Sequence, residues 1–124
     1  MKSITTSKAP AAIGPYSQGK DIGSMVFTSG QLPINMETGF MEAEIKAATK
    51  ASLDNVKAIL EEAGLTMDDV VKTTVFISDM ENFGEMNEVY STFFGKNAPA
   101  RSCVQVARLP KDALVEIEAI AVRG

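Results

Sequence analysis

The sequence predicts an α+β domain in which two helices cover one face of a mixed β-sheet. Three observations carry the prediction. Two long stretches repeat apolar residues at spacings of three and four, as helices do, while shorter runs concentrate β-branched and aromatic residues, as strands do. The elements follow the order β, β, α, β, α, β, β, which intermixes the two types. No Pro/Gly/Ser-rich linker divides the 124 residues, so a single domain over 1–124 is expected.

Each element has its own signal. After a polar start, the segment from Ala9-Pro10 to Gly14-Pro15-Tyr16-Ser17-Gln18-Gly19 reads as a structured loop, because its prolines and glycines fix irregular backbone. Met25–Gly30 is a β-branched and aromatic run, predicted as a strand, and Gln31-Leu32-Pro33 turns toward Glu37-Thr38-Gly39. From Glu42 to Ala63 the stripe Ile45, Ala48, Ser52, Val56, Ile59, Ala63, widened by Leu53 and Leu60, predicts a helix stopped by Gly64. Thr66 with Asp68 and Asp69 resembles a helix start, but Val70–Ile77 is too rich in β-branched residues to be anything except a strand. A second helix runs from about Met80 or Glu81 to Phe94, burying Phe83, Met86, Tyr90 and Phe93, and Gly95 closes it. Strands over about 100–106 and 114–122 finish the chain, with Leu109-Pro110-Lys111-Asp112 expected as the hairpin loop between them.

Composition excludes several classes of function. A net charge of −4 offers no broad basic field for phosphate backbones, so nucleic acid is not an expected partner. No apolar run approaches the roughly 20 residues that span a bilayer, and the N-terminus lacks the apolar core of a secretory signal. The single cysteine, Cys103, has no internal disulfide partner, which suits a reducing, cytosolic compartment. The chain contains no histidine, so any acid–base chemistry falls to carboxylates, tyrosine, lysine, the thiol or the backbone. No phosphate-binding glycine loop is present, and the lysines at 46, 50 and 57 form the solvated face of the long helix.

Alternation along the last strand places Val115, Ile117, Ala119 and Ala121 on one face, and Glu116, Glu118, Ile120 and Val122 on the other. Two helices cover only one of these faces. The apolar end of the second is expected to meet another copy of the chain, with a site near the subunit boundary. The same alternation groups Arg101 with Cys103 and Gln105. If the last two strands are antiparallel neighbours, Arg101 and Glu116 face one cleft, where a guanidinium fork suits a carboxylate and a nearby acid directs water. A structural Arg101–Glu116 pair tying the hairpin together accounts for the same spacing equally well. Cys103, without a histidine to activate it, reads more readily as a small buried hydrophobe than as a nucleophile. Tyr16 in its Gly-Pro loop either lines a pocket or packs over the loop, and Ser29-Gly30 offers either a hydroxyl beside bare backbone or a simple chain reversal.

These residues resemble the Rid (reactive intermediate deaminase, YjgF) family. The resemblance lies in Ala11-Ala12-Ile13-Gly14-Pro15-Tyr16-Ser17-Gln18, Thr28-Ser29-Gly30-Gln31-Leu32-Pro33 and Ser52-Leu53-Asp54-Asn55-Val56. It continues in Val71-Lys72-Thr73-Thr74-Val75, Asn87-Glu88-Val89-Tyr90 and Phe93-Phe94. Most specific is Pro99-Ala100-Arg101-Ser102-Cys103-Val104, running through Ala107-Arg108-Leu109-Pro110 to Val115-Glu116-Ile117-Glu118-Ala119-Ile120-Ala121. The similarity extends almost end to end and points to the deaminase-active branch. It implies a chorismate-mutase-like α+β fold assembled as a homotrimer around a central barrel, with clefts between subunits. It also implies hydrolysis of 2-aminoacrylate and related imines, released by pyridoxal-phosphate enzymes, to 2-keto acids and ammonia. By position, Arg101 would clamp the substrate carboxylate, Glu116 would activate water, and the Cys103 carbonyl would receive the nitrogen. Tyr16, Ser29, Gly30 and Asn87 would complete the pocket, and no cofactor or metal is expected. A regulatory protein that binds keto acids in the same cleft is the alternative. Ribonuclease activity fits poorly with the charge and the lack of histidine, and a chorismate mutase rests on fold analogy alone.

Overall fold

The computed structural model describes residues 1–124. Six strands and two helices follow one another as β1 (Lys2–Ile4), β2 (Gly19–Asp21), β3 (Met25–Thr28), α1 (Ile45–Glu62), β4 (Val70–Ile77), α2 (Phe83–Phe94), β5 (Ala100–Gln105) and β6 (Val115–Val122). They form one sheet in the order β1-β2-β3-β6-β4-β5, in which only β4 and β5 run parallel. The predicted α+β class holds.

Local chemistry explains the boundaries. α1 begins at Ile45, the first residue of its apolar stripe and three residues after the expected start at Glu42, because Glu44 caps it, its carboxylate accepting from the N–H groups of Lys46 (2.7 Å) and Ala47 (3.3 Å). Gly64, at φ +81°, makes the left-handed turn after the helix. Thr66 and Asp69 form a reciprocal capping box, but only around a single 3₁₀ turn before β4 takes over. The stripe itself is correct: Leu53, Val56, Ile59 and Leu60 are wholly buried against the sheet, each contributing about 1.5–3 kcal/mol of hydrophobic stabilisation. From α2, Met86, Tyr90 and Phe94 join the same core, where the Tyr90 hydroxyl and Thr73 Oγ1 on β4 are 2.7 Å apart.

Two features differ from the sequence reading. β1 and β2 are strands of only three residues, too short to show a pattern, and they form because their backbone pairs outward from β3. The buried Gln18 amide locks the loop between them, accepting from Thr6 N–H and donating to the carbonyls of Thr6, Ala9 and Pro10. The segment 107–113 is not a hairpin. β4 lies between β5 and β6, so the chain leaving β5 crosses β4 to reach the other edge. Side-chain alternation had fixed the faces of both strands but says nothing about which strand is whose neighbour.

The helices leave the other face of the sheet open. It carries Met25, Phe27, Phe76, Ile120 and Val122, all half-buried, and Val104, 46% exposed, beside Lys72, Thr74, Glu116 and Glu118.

Asn55 joins α1 to the segment after β3: its buried amide donates to the carbonyls of Leu32 (3.2 Å) and Ile34 (2.9 Å). Asn55→Ala leaves both carbonyls short of a partner. We expect a loss of about 1–3 kcal/mol in chemical denaturation. A stability unchanged within experimental error would show that water replaces the amide there.

Candidate active site

The seven residues singled out in the sequence fall into two groups on opposite faces of the sheet. Arg101 pairs in register with Thr73, and Thr73 with Ala119, which places the arginine on the helix-covered face. Glu116 pairs with Phe76, which places it on the open face. The expectation that both face one cleft of a single chain is therefore corrected: the intervening strand β4 sets them at opposite parity. The alternative of a structural Arg101–Glu116 ion pair fails for the same reason, and no such pair exists.

The first group surrounds Glu116. Tyr16, Ser29, Gly30, Gln31, Lys111 and Glu116 line a cavity of about 540 Å³, with apolar walls from Ile13, Leu32 and Ile34. Gln31 and Ile117 exchange backbone hydrogen bonds of 2.8 and 3.2 Å, holding the end of β3 against β6. This brings Gly30 so close to Glu116 that a Cβ there would collide with the carboxylate and stand 2.8 Å from its Cδ. Only glycine leaves Glu116 its present position. Ser29 is fixed by donating its hydroxyl to the Ser17 carbonyl, so its own oxygen remains an acceptor facing the cavity wall. Burial pushes the Glu116 carboxyl above the usual range, and the neighbouring Glu118 adds to the rise; no cation opposes them.

The second group surrounds Arg101. Its Nη1 donates to Asn87 Oδ1 at 2.7 Å, and its Cζ sits 4.7 Å from the centre of the Tyr90 ring and 5.5 Å from that of Phe83. Stacking and one hydrogen bond orient the guanidinium while the rest of its fork makes no protein hydrogen bond. Cys103 lies on the same face; burial raises its thiol, with Arg101 opposing, so the group stays protonated rather than acting as a thiolate. Helical periodicity marks Phe83 and Tyr90 as core residues. Their spacing with Asn87, at i, i+4 and i+7 on one helix face, was the signal that they also hold the arginine.

A larger concavity of about 960 Å³ lies at the far edge of the sheet, near Lys2, Ile22 and Glu62. Its principal polar group is consumed internally: Arg123 donates to the carbonyls of Gly23 and Ala63 and pairs with Asp21 at 2.6 Å. No group of three His, Cys, Asp or Glu side chains is arranged to hold a metal ion.

Fold and site together define a small α+β protein that presents a partly buried carboxyl beside bare backbone and, on the other face, an arginine held by one helix with part of its fork unpaired. Residues 6–123 match the family model described as Endoribonuclease L-PSP, and the chain belongs to that family, the Rid (YjgF) family. It is 59% identical to the 2-iminobutanoate/2-iminopropanoate deaminase of Escherichia coli K12, over 98% of both chains. Among solved structures, E. coli TdcF with bound serine superposes with a TM-score of 0.96 at 56% identity, covering 100% of both chains. The E. coli YjgF gene product matches with the same score, identity and coverage.

Glu116 supplies a direct check on this electrostatic picture. A carboxyl whose folded pKa exceeds its unfolded value stabilises the fold at low pH. That contribution is lost as pH rises through the window between the two values. We therefore expect Glu116→Gln to raise the melting temperature at pH 7–8 and to lose this advantage at pH 4. A variant less stable than wild type at neutral pH would mean that the carboxylate has a favourable partner.

Proposed function

We propose that this protein hydrolyses enamine and imine intermediates such as 2-aminoacrylate and 2-iminopropanoate to 2-keto acids and ammonia. The observation that carries the reading is the 59% identity, over 98% of both chains, to a 2-iminobutanoate/2-iminopropanoate deaminase, in a chain whose partly buried Glu116 carboxyl is pushed above the usual range. Arg101 grips the substrate carboxylate with the unused part of its fork. The Cys103 backbone carbonyl accepts a hydrogen bond from the substrate nitrogen, and Tyr16, Ser29, Gly30 and Asn87 complete the pocket. Once the enamine has tautomerised, the imine carbon is electrophilic. Glu116 takes a proton from water as oxygen bonds to that carbon and returns it to the nitrogen, giving a neutral carbinolamine. Glu116 then carries the carbinolamine hydroxyl proton to the nitrogen as the C–N bond breaks and the C=O bond forms, so ammonia leaves with the keto acid behind it. Orientation and charge placement supply the acceleration.

In this reading a complete site takes Arg101, Asn87 and Cys103 from one copy, and Glu116, Gly30, Ser29 and Tyr16 from another. Two facts favour it: the halves lie on opposite faces of one chain, and the open face is half apolar. A homotrimer closing its open faces into a central barrel satisfies both. Such an enzyme would act in the cytoplasm beside the pyridoxal-phosphate enzymes that release its substrates, limiting damage from them. A second reading, a protein that binds amino-acid-like ligands without turnover, is favoured by the bound serine in the TdcF structure.

A coupled assay, with threonine dehydratase and serine as the source of 2-aminoacrylate, separates the two readings by following pyruvate release. We expect Arg101→Ala and Glu116→Gln each to slow release by at least about 100-fold, and Cys103→Ala to retain most activity. Unfolding the two inactive variants together and refolding the mixture should restore about one quarter of wild-type activity, the share of sites receiving both intact halves in random trimers. Light scattering should give the mass of three chains. A mixture as inactive as its components would place both groups in one subunit's site and sink the shared-cleft reading.

A further inference from the structure

We propose that Lys111 is a specificity-determining residue that draws anionic substrates into the Glu116 half of the site and favours them over neutral analogues. The inference rests on the deaminase reading for the identity of its substrate. Lys111 and Glu116 are the only charged residues lining the cavity. An anion approaching there meets a carboxylate with a second one, Glu118, close enough to raise it further, in a chain whose net charge is −4. Arg101 lies on the other face and does not line this cavity. Within the half of the site that carries Glu116, Lys111 is the only cation that offsets this repulsion.

The backbone places that cation deliberately. Lys111 and Asp112 both adopt the left-handed region, at φ 57° and 56°, which L-residues rarely occupy. Hydrogen bonds from Asp112 N–H to the Leu109 carbonyl (3.0 Å) and from Ala113 N–H to the Pro110 carbonyl (3.2 Å) hold the strained turn. Glycine would relax it, yet lysine and aspartate stand there. The aspartate is occupied by Arg108, 3.2 Å away, whereas Lys111 forms no ion pair. Its charge is left for a ligand.

The test compares wild type, Lys111→Ala, Lys111→Glu and Lys111→Arg in two measurements. In NMR titrations with pyruvate and with its neutral analogue pyruvamide, at about 10 mM salt, Lys111→Ala should weaken pyruvate binding about threefold to fivefold, and Lys111→Glu should weaken it further. Lys111→Arg should stay within about twofold of wild type, and pyruvamide binding should not change in any variant. At about 500 mM salt, where screening acts over a few ångströms, the differences should collapse. In the coupled assay the loss should fall on KM and leave kcat unchanged. Equal pyruvate affinity in wild type and Lys111→Ala at low salt overturns the inference, as does a loss that salt does not touch or that pyruvamide shares. Wild-type turnover alongside such a result leaves the deaminase reading standing. Lys111-dependent pyruvate binding in a wild type that shows no turnover does the reverse.

Discussion

β4 pairs with β6 along one edge and with β5 along the other, and this double pairing decides where every reactive group points. Thr73 sits between Arg101 and Ala119, and Phe76 between Val104 and Glu116. Because neighbours in register share a face, the arginine joins the helices and the glutamate joins the open side. A slip of one residue between β4 and β6 would turn one of them over and put Val75 and Ile77, or Val115 and Ile117, on the open face. The buried apolar set of β4 and β6 therefore fixes the register, and the register separates the two halves of the site.

The two halves are held by different forces. Around Arg101 they are local to α2: Phe83, Asn87 and Tyr90 face the guanidinium from one side of a helix, and Tyr90 is tied in turn to Thr73. The arginine keeps most of its donors free while its plane is fixed. Around Glu116 the force is close approach. The Gln31–Ile117 bridge presses Gly30 against the carboxylate and removes it from water without supplying a cation. Such a carboxyl contributes little to stability at neutral pH, so the fold gives up some free energy to hold it there.

The polar contacts that hold the loops are few and buried. Gln18 fixes the segment that carries Tyr16, and Asn55 fixes the segment after Gly30. Each amide satisfies carbonyls that would otherwise be stranded away from water, so irregular backbone becomes as well determined as the strands beside it. The same holds for the 110–113 turn, whose left-handed residues are pinned by two backbone hydrogen bonds.

By itself the sequence determined the class of fold, both helices with the buried stripe of the first, and the strands long enough to show a pattern, Val70–Ile77 above all; in α2 it is Phe94, not Phe93, that is fully buried beside Met86 and Tyr90. Those signals are local: periodicity, capping and β-branched density act within a few residues. The face of each strand was also legible, so Arg101 was grouped correctly with Cys103, and Glu116 with Glu118. The tertiary structure alone decided that β4 divides β5 from β6, that the three-residue strands β1 and β2 exist, and that Phe83 and Tyr90 hold the arginine. Strand order and edge pairing depend on contacts between residues far apart in the chain, where closure entropy and core packing choose among arrangements that alternation leaves equivalent.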